Sequence, residues 1–154
     1  IEKRHDEFEA IGLEALRAQK TGAVLLAGGQ GTRLGFDKPK GMFNIGVTRP
    51  LYIFECLINN LMDVVKQAGT WIPLYIMTSR KNHEETTSFF REHNYFGYNP
   101  EEIRFFQQDM APSVGYDGKV LLEAKDRISM SPNGNGGWFS SLCRAGYLKE
   151  MQRQ

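Results

Sequence analysis

Leu26-Ala27-Gly28-Gly29-Gln30-Gly31-Thr32-Arg33-Leu34-Gly35 puts four glycines into eight positions, directly behind the apolar run Ala23-Val24-Leu25-Leu26-Ala27. A short continuous apolar run predicts a strand covered on both faces. The polar, glycine-dense loop after it extends to Gly41. Glycine reaches positive φ and lets backbone N–H groups approach a ligand closely, and successive inward N–H groups form an anion nest. Arg33 adds a planar fork of donors suited to phosphate oxygens. Lys40 adds a point charge beside Pro39, whose fixed φ limits the loop. Between Gln30 and Lys40, Arg33, Lys38 and Lys40 stand against Asp37 alone, a local surplus of two positive charges. A charge-assisted bond to phosphate is worth roughly 1.5–3 kcal/mol. Two such bonds plus backbone donors are enough to hold a triphosphate at roughly micromolar strength. Glycine-rich turns also simply connect strands to helices. The strand before, the arginine within and Pro39-Lys40 after favour the phosphate reading.

Two common phosphate loops are excluded directly. A P-loop needs GxxxxGK followed by Ser or Thr, and Gly31 leads instead to Thr32-Arg33. A dinucleotide fingerprint needs GxGxxG opening a helix. From Gly29 the third glycine is replaced by Leu34, and Pro39 falls where that helix would run.

Around the loop, helical and strand patterns alternate. Residues 1–20 carry Phe8, Ile11, Ala15 and Leu16 among Glu2, Lys3, Glu9 and Arg17, which predicts a helix with one apolar stripe, ended by Thr21-Gly22. Residues 51–68 space Phe54, Leu57, Ile58, Leu61, Val64 and Val65 at helical period before Gly69. Residues 72–77 and 103–106 read as strands, and 120–122 as a short extra one. Asn82 and Glu85 form a cap-and-box pair opening a helix toward His93. Gly136-Gly137 precede a last helix over residues 138–151. The pattern predicts an α/β fold, a Rossmann-like open, mostly parallel sheet with helices on both faces. Residues 1–20 make a leading helix and residues 21–154 the α/β portion of one domain, with no internal repeat. Ligands of such sheets sit beyond the carboxyl ends of the strands. Three ends carry unusual polar sequence: Gly28 onward, Thr78-Ser79 and Gln107-Gln108.

The 154 residues carry 19 Lys+Arg against 18 Asp+Glu, a net charge of +1 that removes the broad basic surface of non-specific nucleic-acid binding. No run approaches the ~18 apolar residues of a membrane span, and the opening residues do not read as a signal peptide. Cys56 and Cys143 form no CxxC pair, so a reducing cytoplasm is expected. The chain opens on Ile1, inside the expected helix, and reads as a piece of something longer.

The loop, Leu26 to Gly35 and then Pro39-Lys40-Gly41-Met42, resembles the Leu-x-x-Gly-x-Gly-Thr-Arg-Leu-Gly…Pro-Lys signature of the UDP-sugar pyrophosphorylase superfamily. Three further stretches resemble its UDP-N-acetylglucosamine (UDP-N-acetylhexosamine) pyrophosphorylase branch. They are Trp71-Ile72-Pro73-Leu74-Tyr75-Ile76-Met77-Thr78-Ser79, Phe105-Phe106-Gln107-Gln108, and Ser129-Met130-Ser131-Pro132-Asn133-Gly134-Asn135-Gly136-Gly137. The likeness covers residues 22–142. It implies a fold of the nucleotide-diphospho-sugar transferase type, truncated here. The implied reaction joins UTP and N-acetylglucosamine 1-phosphate into UDP-N-acetylglucosamine and pyrophosphate with Mg²⁺, by in-line attack on the α-phosphorus and without a protein nucleophile.

By the same resemblance, Gly28, Gly29, Gly31 and Thr32 meet the nucleotide, Arg33 holds the β- and γ-phosphates, and Lys40 holds the α-phosphate. Gln108 reads the uracil edge, since an amide offers both donor and acceptor to its imide. Gly134 lets backbone approach uracil, and Asn135 bonds the sugar. Plainer readings stand beside these: Gln108 as a polar cap on a strand end, Asn133-Gly134 as a turn, and Asn135 as a brace of that loop. Thr78 and Ser79 are expected to support the fold, and Met77 and Met130 to pack. His5, His83 and His93 show no metal-ligand spacing and are expected to face solvent. Glu84-Glu85 suits a helix N-terminus, and Asp117-Gly118 a hairpin turn. No metal ligand is expected within these residues, because the family's metal-binding Asp lies beyond the Asn-Gly-Gly loop.

Glucose-specific relatives usually carry Pro-x-Gly-His-Gly where this chain has Pro132-Asn133-Gly134-Asn135-Gly136-Gly137, which favours the acetamido sugar. The family more often has Asp at the Asn133 position and varies at Lys38. The chain is expected to bind UTP weakly and not to turn over. A glucose-1-phosphate uridylyltransferase and a non-catalytic nucleotide-binding module are the rival readings.

Overall fold

Leu74, Tyr75, Ile76, Met77 and Thr78 are all buried, because their strand lies between two others in a sheet covered on both faces. The computed structural model of the protein describes residues 4–152. In chain order it contains α1 (His5–Arg17), β1 (Ala23–Leu26), α2 (Ile53–Ala68), β2 (Leu74–Thr78), α3 (His83–Glu92) and β3 (Ile103–Gln107). Then come β4 (Met110–Pro112), β5 (Leu122–Ala124), β6 (Arg127–Ile128), β7 (Met130–Pro132), α4 (Trp138–Arg144) and α5 (Tyr147–Met151). The sheet order is β1-β2-β3, all parallel, with Ala23 opposite Leu74 and Leu74 opposite Ile103.

Strand alternation divides the core in two. Leu74 and Ile76 meet Phe54, Ile58 and Val65 of α2 and Phe89 and Phe90 of α3. Tyr75, Met77 and Phe106 meet Leu142 of α4 on the other face, with Tyr147, Leu148 and Met151 of α5 at its border. Each fully buried side chain of this size contributes about 1.5–3 kcal/mol. The predicted α/β architecture with helices on both faces is what forms. Tyr98 locks the lower edge: it is buried, its hydroxyl donates to the Ile72 carbonyl at 2.6 Å, and burial pushes the phenol up to about 12.

Several expectations are corrected. β1 is covered only in part: Ala23 and Leu25 pack on one core and Val24 on the other, but all three are half-buried and Leu26 is exposed, because no strand pairs with its outer edge among the described residues. In α1 the stripe is covered only at its end, with Phe8 and Ile11 exposed; Ile1, Glu2 and Lys3 lie outside the described residues. The extra strand lies over Leu122–Ala124, while Val120 makes a single bridge to Val114. The expected last helix is two, broken at Ala145-Gly146, where Gly146 has φ +85°. Gly69 (φ +71°) does stop α2. Asp117-Gly118 does form a turn, with Gly118 at φ +78°.

His93 does not face solvent. It is half-buried, with Nδ1 2.9 Å from the Phe89 carbonyl and its ring among Tyr52, Phe89 and Phe96. The next residues, Asn94, Tyr95 and Phe96, are left-handed (φ 49°, 52° and 54°). Such geometry costs roughly 1–2 kcal/mol per residue, and Phe96 offsets it by packing on Phe89 and Phe90.

Candidate functional site

The carboxyl ends of the three strands are continued by ordered backbone. Ala27 N–H donates to the Met77 carbonyl at 2.7 Å, and Gln108 N–H donates to the Thr78 carbonyl at 2.7 Å. Gly28 and Gln108 therefore stand on either side of the end of β2. Neighbouring strands are about 4.8 Å apart, so a long side chain is needed to cross the gap. The Gln108 side chain crosses it: a Cβ built on Gly28 would lie 2.5 Å from Gln108 Nε2. Gln108 is buried beside the hydrogen bonds that Thr78, Ser79 and Asp109 make with Phe106, Asn82 and Ser141.

Asn82 secures this floor. The expected cap is absent: the Asn82 side chain makes no cap bond to α3. Instead Oδ1 accepts from Ser79 N–H at 2.7 Å and Nδ2 donates to the Ala27 carbonyl at 3.0 Å. The side chain of this fully buried residue thus fastens the start of the glycine loop to the β2–α3 turn. Thr78 Oγ1 donates to the Phe106 carbonyl at 3.1 Å and lies 2.8 Å from His83 Nδ1, which therefore carries the proton. His83 is half-buried rather than solvent-facing, and Thr78 and Ser79 do support the fold. The side chain of His5 is exposed, as expected.

The glycine loop folds back on itself. Gly31 N–H donates to the Lys38 carbonyl at 2.9 Å and Lys40 N–H to the Gly29 carbonyl at 3.1 Å, flanking a bridge between Gln30 and Pro39. Gly31 is buried there, and a Cβ would stand 2.8 Å from both the Phe36 ring and its carbonyl. Its amide is engaged inside the loop. The Gly28 and Gly29 amides have no backbone partner among the described residues. Thr32 and Arg33 occupy an exposed one-turn 3-10 helix, Thr32–Leu34, closed by Gly35 at φ +66°. Lys40 is exposed and opens a second such turn, Lys40–Met42, bordering a hollow with Gly29, Leu26 and Phe54. Lys38 turns elsewhere, into a groove with Glu84, Glu85 and Glu92.

The third component arrives through the antiparallel β4–β7 pair, which sets Met110 opposite Pro132. Asn133 N–H then donates to the Asp109 carbonyl at 3.2 Å. A cavity of about 460 Å³ opens between Arg80, Gln108, Asp109, Met130, Asn133 and Arg144. Met130 is 41% exposed at its edge, not packed away as Met77 is. Gly134 has φ +71°, which only glycine adopts readily, and the exposed Asn135 begins the turn into α4. The structure therefore brings Gly28, Gln108 and the Asn133–Gly134 segment together, and sets Gly29 beside Lys40. Arg33, Thr32 and Asn135 stand on exposed turns at the rim.

The cavity carries two arginines against Asp109, which is engaged by Arg144 at 2.6 Å, so its balance favours an anion. Magnesium in nucleotide sites is held by one or two carboxylates together with waters and substrate phosphates, and the one carboxylate of this cavity is already taken by Arg144. Elsewhere His5, Asp6 and Glu9 come within 4.8 Å of one another, exposed at the start of α1, where acidic groups commonly gather without an ion. Among the described residues no helix is long and apolar enough to cross a membrane.

Gly28–Gln108 and Asn82–Ala27 join residues 80 and 55 positions apart. No local pattern announces either pairing.

The profile of the family described as UTP--glucose-1-phosphate uridylyltransferase matches residues 5–154. The chain is 38% identical over 153 residues to the human UDP-N-acetylhexosamine pyrophosphorylase-like protein 1, covering 96% of this chain and 30% of that protein. It is 40% identical over 144 residues to the UDP-N-acetylglucosamine pyrophosphorylase of Saccharomyces cerevisiae, covering 91% and 30%. A crystal structure from Entamoeba histolytica, of a protein assigned as a UDP-N-acetylglucosamine pyrophosphorylase, superimposes with a TM-score of 0.85 at 39% identity, covering 94% of this chain and 38% of that one. The chain thus spans about a third of the length of the relatives it matches.

Proposed function

Because the chain belongs to the UTP--glucose-1-phosphate uridylyltransferase family, we propose that it serves transfer of a uridylyl group from UTP to N-acetylglucosamine 1-phosphate, releasing pyrophosphate and giving UDP-N-acetylglucosamine. The sugar phosphate oxygen attacks the α-phosphorus in line, and the bond to the β-phosphate oxygen breaks. Catalysis then consists of aligning two anions and neutralising the charge that moves onto the leaving group.

The observation that carries this reading is the close approach of the Gln108 carboxamide to Gly28 at the strand ends. A uracil imide takes one donor and one acceptor from such an amide, and Gly134 gives the base backbone to lie against. Gly29 and Thr32 meet the nucleotide beside them. Gly31 shapes the loop from within. Lys40, next to Gly29, holds the α-phosphate, and Arg33 at the rim holds the β- and γ-phosphates. Asn135 meets the sugar. The acetamido sugar is favoured by the loop Asn133-Gly134-Asn135-Gly136-Gly137 and by the names of the relatives at 38% and 40% identity. Mg²⁺ belongs to the proposal as counter-ion of the triphosphate. The cavity beside Gln108 offers it one carboxylate, Asp109, which Arg144 already engages. The reading includes a cytoplasmic location, supported by two free thiols, Cys56 and Cys143.

Steady-state pyrophosphate release by the complete polypeptide, with UTP and either N-acetylglucosamine 1-phosphate or glucose 1-phosphate, tests the assignment. Preference for the first is expected, and no release with either overturns it. The 154-residue chain alone is expected to bind UTP by calorimetry without turnover. Equal heats with UTP, CTP and ATP would remove Gln108 from its role.

A further inference from the structure

Asp109 directly follows Gln108 and ties three segments together. Its N–H donates to Ser141 Oγ of α4 at 3.0 Å, its carbonyl accepts from Asn133 N–H at 3.2 Å, and its carboxylate takes Arg144 Nη1 at 2.6 Å. Ser141 is buried, so the first tie is fixed from below. The Asp109 side chain is 25% exposed and that of Arg144 72%, which puts the ion pair on the wall of the cavity rather than under it. An exposed pair of this kind adds little to folding. What it does restrain is a corner: the backbone that carries Gln108 and the segment that carries Gly134 meet at Asp109.

We propose that Asp109 and Arg144 are positioning residues for base recognition, their ion pair holding the Asn133–Gly134 segment at a fixed height against the Gln108 carboxamide. The inference rests on the uridine reading above and adds to it the residues that set its selectivity. A carboxamide distinguishes uracil from cytosine only while its donor and acceptor are held in place. Substituting Arg144 removes one tie of three and leaves both backbone ties, so the fold stands while the corner loosens.

The test is made in the complete polypeptide with Arg144→Ala, Arg144→Lys and Asp109→Asn, reading hydrogen exchange at the Asn133 amide together with UTP and CTP affinities. Arg144→Ala is expected to speed that exchange, weaken UTP by about fivefold and narrow the UTP:CTP ratio. Arg144→Lys should recover part of all three. Asp109→Asn, which keeps shape and backbone ties, should behave like Arg144→Ala and serves in its place if that variant fails to fold. Unchanged exchange overturns the proposal. So does an equal loss for UTP and CTP, which would make Arg144 a phosphate contact. If the unsubstituted protein shows no preference for uridine, the uridine reading falls. The clamp then stands or falls on the Asn133 exchange alone.

Discussion

Gly28 and the carboxamide of Gln108 are so close that a single methyl at position 28 would stand 2.5 Å from Nε2 and 2.9 Å from Cδ. What it meets is the free end of a flexible side chain, which can swing away, and not a fixed wall. Gly28→Ala should therefore cost less than about 1 kcal/mol in chemical denaturation, yet displace the one group aimed at the base. UTP affinity is expected to fall about tenfold and the preference over CTP to disappear. A variant that keeps both would dissociate Gln108 from base recognition.

The order of elements was legible because strand and helix periods are written locally: residues 74–77 are apolar on both faces, and α2 repeats at helical spacing up to Gly69. Edge position is not local. Ala23–Leu26 has the composition of a central strand, but its coverage depends on what pairs with it, and Leu26 is 40% exposed. The same holds for side chains with two available partners. Asn82 satisfies the sequence pattern of a cap, yet bonds Ser79 and Ala27, because two unpaired groups at a buried crossing are costlier than one exposed helix end. Gly31 and Gly28 look alike in sequence. One closes the loop on Phe36 and the other admits Gln108.

Asn82→Ala should be the most destabilising polar substitution around the site. It leaves the Ser79 N–H and the Ala27 carbonyl without partners in a fully buried setting. Each orphaned group costs about 1–3 kcal/mol, so urea denaturation should report a loss of roughly 2–6 kcal/mol. Asn82→Asp retains the acceptor but loses the donor to Ala27 and buries a charge, and it should be destabilised further as pH rises. A loss below about 1 kcal/mol for Asn82→Ala would mean that water replaces both bonds.

Alkaline stability is expected to follow Tyr98. Burial pushes its phenol up to about 12 in the folded protein, against about 10 in the unfolded chain. The protonated form favours folding, so this contribution is complete below pH ~10 and is lost as pH climbs through about 12, amounting to roughly 2–3 kcal/mol. Tyr98→Phe should flatten that limb of the stability–pH curve. It should also lower neutral-pH stability by about 1–2 kcal/mol, since the Ile72 carbonyl loses its donor. Tyr75, raised by burial as well, leaves a residual slope. An unchanged alkaline limb in Tyr98→Phe would assign the transition elsewhere.

Lys38 and Lys40 are two residues apart and carry the same charge, so they separate position from electrostatics. Lys40 borders the hollow with Gly29, while Lys38 sits over Glu84, Glu85 and Glu92. The Lys40 side chain is exposed, and the tie to the Gly29 carbonyl is made by its backbone N–H, which alanine keeps. Lys40→Ala should leave the thermal midpoint within a degree or so. In the complete polypeptide it should lower kcat/KM by roughly 10–100-fold, the loss of one charge-assisted contact to phosphate. Lys38→Ala removes equal charge from the same loop and should change kcat/KM less than about twofold. Equal losses in the two variants would mean that the loop acts through its general field. If turnover survives Lys40→Ala, the α-phosphate must be neutralised by another group, with Arg33 and Arg80 the next cations to substitute.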